Sequence, residues 1–191
     1  NIQEFSQHSN PCSPVVIPTN LGIDADPYRS PANTAISLGS TEACFSLPSG
    51  QQTTIDFFIT DVQELLGWAT YINYDPALIS ISAINVNMFQ AADGRSFVVN
   101  ASDPTPDSDG SFYASAIDLS APPYQDNGSG VLARITIAAL APGIASVTIV
   151  NPYLTDADGH YIGDFNGDAI FDGPTFSAQI YVDMPCPTPP T

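Results

Sequence analysis

The residues whose types and spacing most clearly suggest chemistry are oxygen-bearing side chains in a glycine-rich stretch, residues 156–173 (DADGHYIGDFNGDAIFDG). They recur there at alternate positions, and a backbone carbonyl is available between them. Hard cations such as Ca²⁺ take six to eight oxygen ligands, and alternate acidic residues on a tight turn direct their oxygens to one point. The sequence therefore predicts a structural calcium site. Its predicted ligands are Asp156, Asp158, Asp164, Asn166, Asp168, Ile170 and Asp172.

The second half of this stretch resembles the calcium loop of dockerins and other EF-hand-like repeats, starting at Asp164. The likeness has two departures, because Ala169 stands where those loops have glycine and Thr175 stands where they have a bidentate acid. The preceding turn, residues 156–159, would supply the missing oxygens. Alternatively, this turn is only a hairpin connection with solvated carboxylates.

Catalytic chemistry finds little support in the sequence. The two histidines, His8 and His160, have no serine or cysteine nucleophile close to them in sequence. A pair of carboxylates could serve glycoside hydrolysis, but three arginines and no lysine leave few groups to orient a substrate. We therefore predict that the chain is not an enzyme.

Charge excludes two classes of partner. The chain has 20 acidic and three basic residues, with a formal net charge of −17. Nucleic acids and anionic membrane surfaces would repel such a protein. No apolar run approaches the roughly 20 residues that span a bilayer. Two sequons, at Asn100 and Asn127, would suit glycosylation outside the cell, although sequons also occur by chance in chains rich in Ser and Thr.

The apolar residues between Ser49 and Val86 alternate with a period of two. Ile55, Phe57 and Ile59 share one face of a first strand, and Trp68, Ile72 and Tyr74 share one face of a second. This rhythm is typical of antiparallel sheets with one buried and one wet face, as in a β-sandwich. No long amphipathic helix is visible, so we predict an all-β fold. Further strands are predicted at residues 41–46, 78–85, 96–100, 111–119, 131–138, 145–150 and 176–182, with a crossing between sheets at 62–66.

The segment 67–78 (GWATYINYDPAL), followed by the alternating run 79–84 (ISISAI), resembles the strand–YDP–strand signature of cohesin domains. The likeness continues through residues 130–137, 143–149 and 176–182. It implies a nine-stranded jelly-roll β-sandwich over residues 41–184. Residues 1–40 are then an extended N-terminal arm with an acidic loop, and residues 185–191 are a Pro/Thr-rich linker.

The resemblance also implies a disulfide. Cohesin-like sandwiches place their first and last long strands side by side, which would bring Cys44 near Cys186 and indicates an oxidising compartment. Cys12 could pair between chains or displace one of these cysteines. The apolar piece of the arm, Val15, Val16 and Ile17, either lies on its own domain or adds a strand to a neighbouring subunit.

In cohesins, a partner helix docks on the outer face of one sheet. The strands that correspond here are residues 67–74, 96–100 and 111–119. Either this face is open for a partner, or the arm covers it, or the inward–outward assignment is wrong. The resemblance predicts these outward residues: Tyr71, Asn73, Val98, Tyr113, Ser115 and Ile117.

These observations predict a non-catalytic, extracellular protein–protein interaction module. Our first hypothesis is a structural subunit of a cell-surface assembly, such as a filament, fibre or surface layer. The alternatives are a cohesin-type receptor for a dockerin partner and a calcium-dependent carbohydrate-binding module. Carbohydrate binding is the weakest of the three, because Trp68, the single tryptophan, is assigned to the core.

Overall fold

A computed structural model describes residues 18–120 and 126–187. The arm residues Cys12, Val15, Val16 and Ile17 lie outside the described residues, as does the end of the C-terminal linker. The described chain has one short 3-10 helix, Phe89–Ala91. Its ten strands are β1 (Asn20–Asp24), β2 (Cys44–Leu47), β3 (Gln52–Asn73), β4 (Ile79–Asn85), β5 (Val98–Asn100), β6 (Ser111–Asp118), β7 (Asp126–Ala139), β8 (Gly143–Asp156), β9 (Thr175–Phe176) and β10 (Ala178–Val182).

The strand β3 belongs to both layers of the structure. Its first half pairs with β7 on one side and β1 on the other, and its second half pairs with β6 and β8. The β7 pairing is irregular between Ile59 and Leu65, where Asp61 and Glu64 have positive φ angles of 54° and 57°. These bulges are where β3 passes between the layers. The predicted crossing at residues 62–66 is therefore part of a single long strand.

The strand order shows which strands form each layer. Layer one contains β4, β7, the first half of β3, β1 and β9, and layer two contains β5, β6, the second half of β3, β8, β10 and β2. Phe57 and Trp68, from the two halves of β3, pack edge-to-face with ring centroids 5.3 Å apart. This contact joins the inner sides of the two layers and confirms both inward assignments.

The predicted disulfide is confirmed. Cys44 is bonded to Cys186, 142 residues later in the sequence. Cys44 begins β2, which pairs in parallel with β10, so the first strand of layer two and the end of the described chain lie side by side. The bond therefore closes almost the whole sandwich into one covalent loop.

One strand was not predicted. The sequence assigned residues 20–24 to the arm and acidic loop, but they form β1, and Leu21 and Ile23 are buried in the core. The core domain thus begins before Thr41. The strand is hidden in the sequence because only Leu21 and Ile23 alternate before the turn-rich residues 25–33 begin. Gly22 is needed there because a Cβ would lie 2.2 Å from the Phe58 ring, and Asp24 is buried among hydrogen-bond donors.

Residues 33–35 lie on the outer side of layer one. The Ala35 carbonyl accepts the Val131 N–H at 3.2 Å, and a Cβ on Gly130 would be 2.1 Å from that same oxygen. Beside it, Arg134 donates to both oxygens of the buried Asp56 and to the Asn33 carbonyl. These contacts explain why the outer face of layer one is covered by the chain itself.

The remaining strands agree with the sequence in place and differ in length. β7 begins at Asp126 instead of Val131, and β8 runs through Asp156 instead of ending at Val150. The predicted last strand, residues 176–182, is split into β9 and β10. The short helix, Phe89–Ala91, lies in the link between β4 and β5.

Candidate binding face and acidic loops

The outer side of layer two presents side chains at alternate positions of β3 and β6. Tyr71 faces Tyr113 across the two strands, with ring centroids 5.3 Å apart, and Tyr71 is 41% exposed. The neighbouring pairs are Ala69 with Ser115 and Gly67 with Ile117. The inward–outward assignment made from the sequence therefore holds for Tyr71, Asn73, Tyr113, Ser115 and Ile117.

The predicted outward position of Val98 is wrong. Val98 is opposite Asp118 and packs against the core, whereas Val99 is opposite Ile117 and shares its side of the sheet. The strand β5 is only three residues long, so the sequence carried no alternation from which its direction could be determined. Val99 takes the place that was assigned to Val98.

The strand β8 adds a part of this surface that the sequence did not identify. Tyr153 is opposite Ala69, and Val150 is opposite Tyr71. The register shifts between these pairs, at Asn151 and Pro152, and Asn151 has a positive φ of 46°. This bulge reverses which residues point outward. An Asn-Pro pair inside an alternating run is a recognisable bulge signal, and it could have revealed the extension.

We call the outward residues of β5, β6, β8 and the second half of β3 the open face. Towards one end of this face, Gly67 and Ala69 lack long side chains and leave a shallow hollow of about 220 Å³. None of the outward residues is an acid or a base. They are Val99, Ser111, Tyr113, Ser115, Ile117, Gly67, Ala69, Tyr71, Asn73, Ile144, Ser146, Thr148, Val150, Tyr153 and Thr155.

The predicted calcium loop is ordered by its own backbone. Asp164 accepts the N–H groups of Asn166, Gly167 and Ala169, and the bond from Gly167 is the shortest at 2.6 Å. These bonds, with that from Gly167 foremost, hold the pKa of Asp164 below its usual value. Asp172 accepts from the Phe165 N–H and from the Asn166 amide.

The remaining predicted ligands point to separate partners. Asp168 accepts the Ile170 N–H, so its carboxylate is hydrogen-bonded to the backbone of the same loop. Asp156 accepts the N–H groups of Asp158 and His160, and its second oxygen lies 3.1 Å from the His160 ring. Within the described residues, no group of three or more His, Cys, Asp or Glu side chains converges as a metal site does. Calcium in this loop stays a prediction.

Two further sequence features have a place in the structure. Both sequon asparagines, Asn100 and Asn127, are exposed. Asn100 ends β5 and accepts the Ser102 N–H, and Asn127 accepts the Glu64 N–H where β7 meets the bulges of β3. In the described part of the chain, no helix is long and apolar enough to cross a membrane.

Comparison with solved structures shows which known fold this architecture resembles. A type I cohesin–dockerin complex from Clostridium thermocellum superposes with a TM-score of 0.61 at 10% identity, over 87% of this chain and 99% of that chain. The fold is that of a cohesin. A type II cohesin domain from the cellulosome of Acetivibrio cellulolyticus gives a TM-score of 0.58 at 16% identity, over 88% and 98% of the two chains.

A cohesin from outside the bacteria is also similar. The non-cellulosomal cohesin of the hyperthermophilic archaeon Archaeoglobus fulgidus gives a TM-score of 0.56 at 9% identity, over 87% of this chain and 91% of that chain. The sequence matches no protein-family model and no curated protein. The cohesin-like jelly-roll sandwich predicted from the sequence is thus confirmed as a fold.

Proposed function

We propose that this chain is a non-catalytic protein-binding module whose partner packs on the open face. The observation that carries the proposal is the absence of acids and bases from the outward residues of that face, in a chain with 20 acidic residues. Solvated faces of such a chain would be expected to carry carboxylates. A face without them can be buried without desolvating a charge, as the centre of a protein interface requires.

The residue types of the open face support the same function. Tyr71, Tyr113 and Tyr153 combine a large apolar ring with a polar tip, and tyrosine is enriched among the residues that dominate binding energy. Ile117 and Val99 extend the apolar area between them. Residues 33–35 lie against layer one and not against this face, whereas residues 1–17 of the arm lie outside the described residues.

A helical partner fits the hollow. The surface at Gly67 and Ala69 is low, with Tyr153 and Ile117 beside it, so one apolar side chain of a helix lying across the strands could enter it. Structures of two similar cohesins contain dockerins, one from Clostridium thermocellum and one from Acetivibrio cellulolyticus. A dockerin-type module is therefore the partner class that we assign to the open face.

Titration calorimetry with a dockerin-bearing protein tests this assignment. We expect Tyr71→Glu to weaken binding about a hundredfold, because it places a charge in the buried centre and removes a ring that contacts Tyr113. Phe165→Glu is the matched control, since Phe165 is an exposed aromatic residue in the predicted calcium loop and is not part of this face. Equal affinities of wild type and Tyr71→Glu would place the binding surface elsewhere.

A second candidate function is that of a subunit in an extracellular assembly, and one observation favours it. A mainly apolar groove of about 580 Å³ opens beside Asn20, where the N-terminal arm joins β1, and its walls include Ile23, Phe58 and Phe176. Val15–Ile17 of a neighbouring copy would supply apolar side chains of matching character. The Cys44–Cys186 disulfide suits an oxidising location of this kind.

Sedimentation velocity of the full chain tests the assembly. We expect concentration-dependent polymers that disappear when residues 1–17 are removed and that persist in Tyr71→Glu. A strict monomer at every concentration would remove this function without affecting the dockerin assignment, because the two use different surfaces.

A further inference from the structure

Three side chains meet where β3 passes from β7 to β6. Asp126 begins β7 opposite Leu65, and Asp118 ends β6 one residue beyond the Gly67–Ile117 pair. The short helix adds Gln90, whose amide N–H donates to the Leu66 carbonyl. Neighbouring residues of β3 thus bring Gln90, Asp118 and Asp126 to one junction between the two layers.

Each of these side chains has a buried oxygen without a hydrogen-bond partner in the structure. The atoms are Gln90 Oε1, Asp118 Oδ2 and Asp126 Oδ2. Gln90 and Asp118 are each 1% exposed, so bulk water does not reach them. Buried polar atoms are nearly always paired, since an unpaired one costs free energy on folding. Three such atoms from three elements at one junction indicate a missing partner.

The missing partner must be positive or a donor, because all three atoms are acceptors. Asp118 and Asp93 are close enough to Asp126 for their charges to act on its carboxylate, so no neighbouring acid can supply the missing positive charge. Two of the arginines are engaged elsewhere, Arg29 with Glu42 and Arg134 with Asp56. The third, Arg95, is exposed and follows Asp93 in the same turn.

A proton shared between Asp118 and Asp126 would pair the two carboxylates and leave the Gln90 carbonyl unpaired. A water molecule has two hydrogens for three acceptors and leaves the charge unchanged. A divalent cation bound here would take all three oxygens as ligands and would balance the two carboxylates. The donor set contains only carboxylate and amide oxygens, which suits a hard cation and does not suit metals that prefer nitrogen or sulfur.

We propose that Gln90, Asp118 and Asp126 bind a calcium ion at the junction of the two layers. The ion cross-links β6, β7 and the short helix at the point where β3 changes layers. Its ligands share no residue with those of the predicted loop at residues 156–172. Asp118 directly follows Ile117, so the ion also steadies one end of the open face.

Calorimetric titration of the chelator-treated full chain with CaCl₂ tests the proposal, together with thermal unfolding in CaCl₂ and in EDTA. We expect Asp126→Asn to weaken calcium binding at this site at least tenfold and to lose most of the calcium-dependent rise in Tm. The substitution keeps the shape of the side chain and removes its charge. Asp168→Ala changes the predicted calcium loop and is the control. It should retain calcium binding at the junction of the two layers.

The outcomes separate the two locations. Calcium binding that survives Asp168→Ala and is lost in Asp126→Asn supports the junction site. Calcium binding that is unchanged in Asp126→Asn overturns it, as does a wild-type chain that binds no calcium. Asp118→Asn provides a second variant with the same expectation should Asp126→Asn fail to fold.

Discussion

Asp126 shows how one residue can make stability depend on pH. Its pKa is raised from 3.8 to about 7 by burial and by the nearby charges of Asp118 and Asp93. The folded chain therefore binds this proton more tightly than the unfolded chain does. The resulting contribution to stability is present below about pH 4, is lost as the pH rises towards 7, and stays lost above it.

We therefore expect Asp126→Asn to unfold at a higher denaturant concentration than wild type at pH 8 in EDTA. The gain should be about 1–2 kcal/mol after allowance for solvent screening, since the asparagine carries no charge to bury. At pH 4 the two proteins should be nearly equal. Urea unfolding at both pH values measures the difference, and comparing the same pair cancels the other carboxylates. A gain of equal size at both pH values would show that Asp126 does not titrate in this range.

At the scale of single elements, the predicted calcium loop at residues 156–172 provides the next prediction. Asp168 lies in the middle of the predicted calcium loop and accepts only a local N–H in the structure. If the loop holds calcium, EDTA should lower Tm, and Asp168→Ala should lower it in CaCl₂ by several degrees. Differential scanning calorimetry measures both effects.

A loop variant whose Tm equals that of wild type in CaCl₂ would show that the turn is ordered by its N–H bonds alone. Asp109→Ala is a suitable control, because Asp109 is exposed, lies outside the predicted loop and accepts the N–H of the residue two positions later, as Asp168 does.

The strands differ in how well the sequence predicts them, and the reason is local. The long strand β3 has seven or more residues of alternation on each side of its bulges, so the burial of Phe57 and Trp68 and the exposure of Tyr71 could be predicted. β5 is too short to carry a period, which caused the error at Val98. β1 was missed because its alternation covers only Leu21 and Ile23 and is followed at once by the turn-rich residues 25–33.

The binding face was predicted in part for the same reason. Tyr71, Tyr113 and Ile117 lie on regular strands, whereas Tyr153 follows a bulge that reverses the alternation. The junction of Gln90, Asp118 and Asp126 could not be predicted from the sequence at all. Its members lie up to 36 positions apart (126 − 90), and they meet only because β3 exchanges β7 for β6 between Leu65 and Gly67.

For the whole molecule, the Cys44–Cys186 bond should be a major source of stability. It closes a loop of 142 residues, and in the chain-entropy description a cross-link of this length restricts the unfolded state by about 3–5 kcal/mol. We expect Cys44→Ser/Cys186→Ser to lower the free energy of unfolding by that amount in urea. Cys12→Ser is the control and should leave the transition unchanged. A double variant as stable as wild type would mean that β2 and β10 hold together without the bond.

The contrast between the uncharged open face and the strongly acidic remainder has a kinetic consequence. Long-range attraction or repulsion depends on the net charge of −17, so the rate at which a basic partner arrives should fall steeply as salt is added. Once the partner is seated, few ions lie in the contact, and the lifetime of the complex should hardly respond to salt. The molecule would thus attract a basic partner through the negative charge outside the open face and retain it through tyrosine and aliphatic contacts on that face.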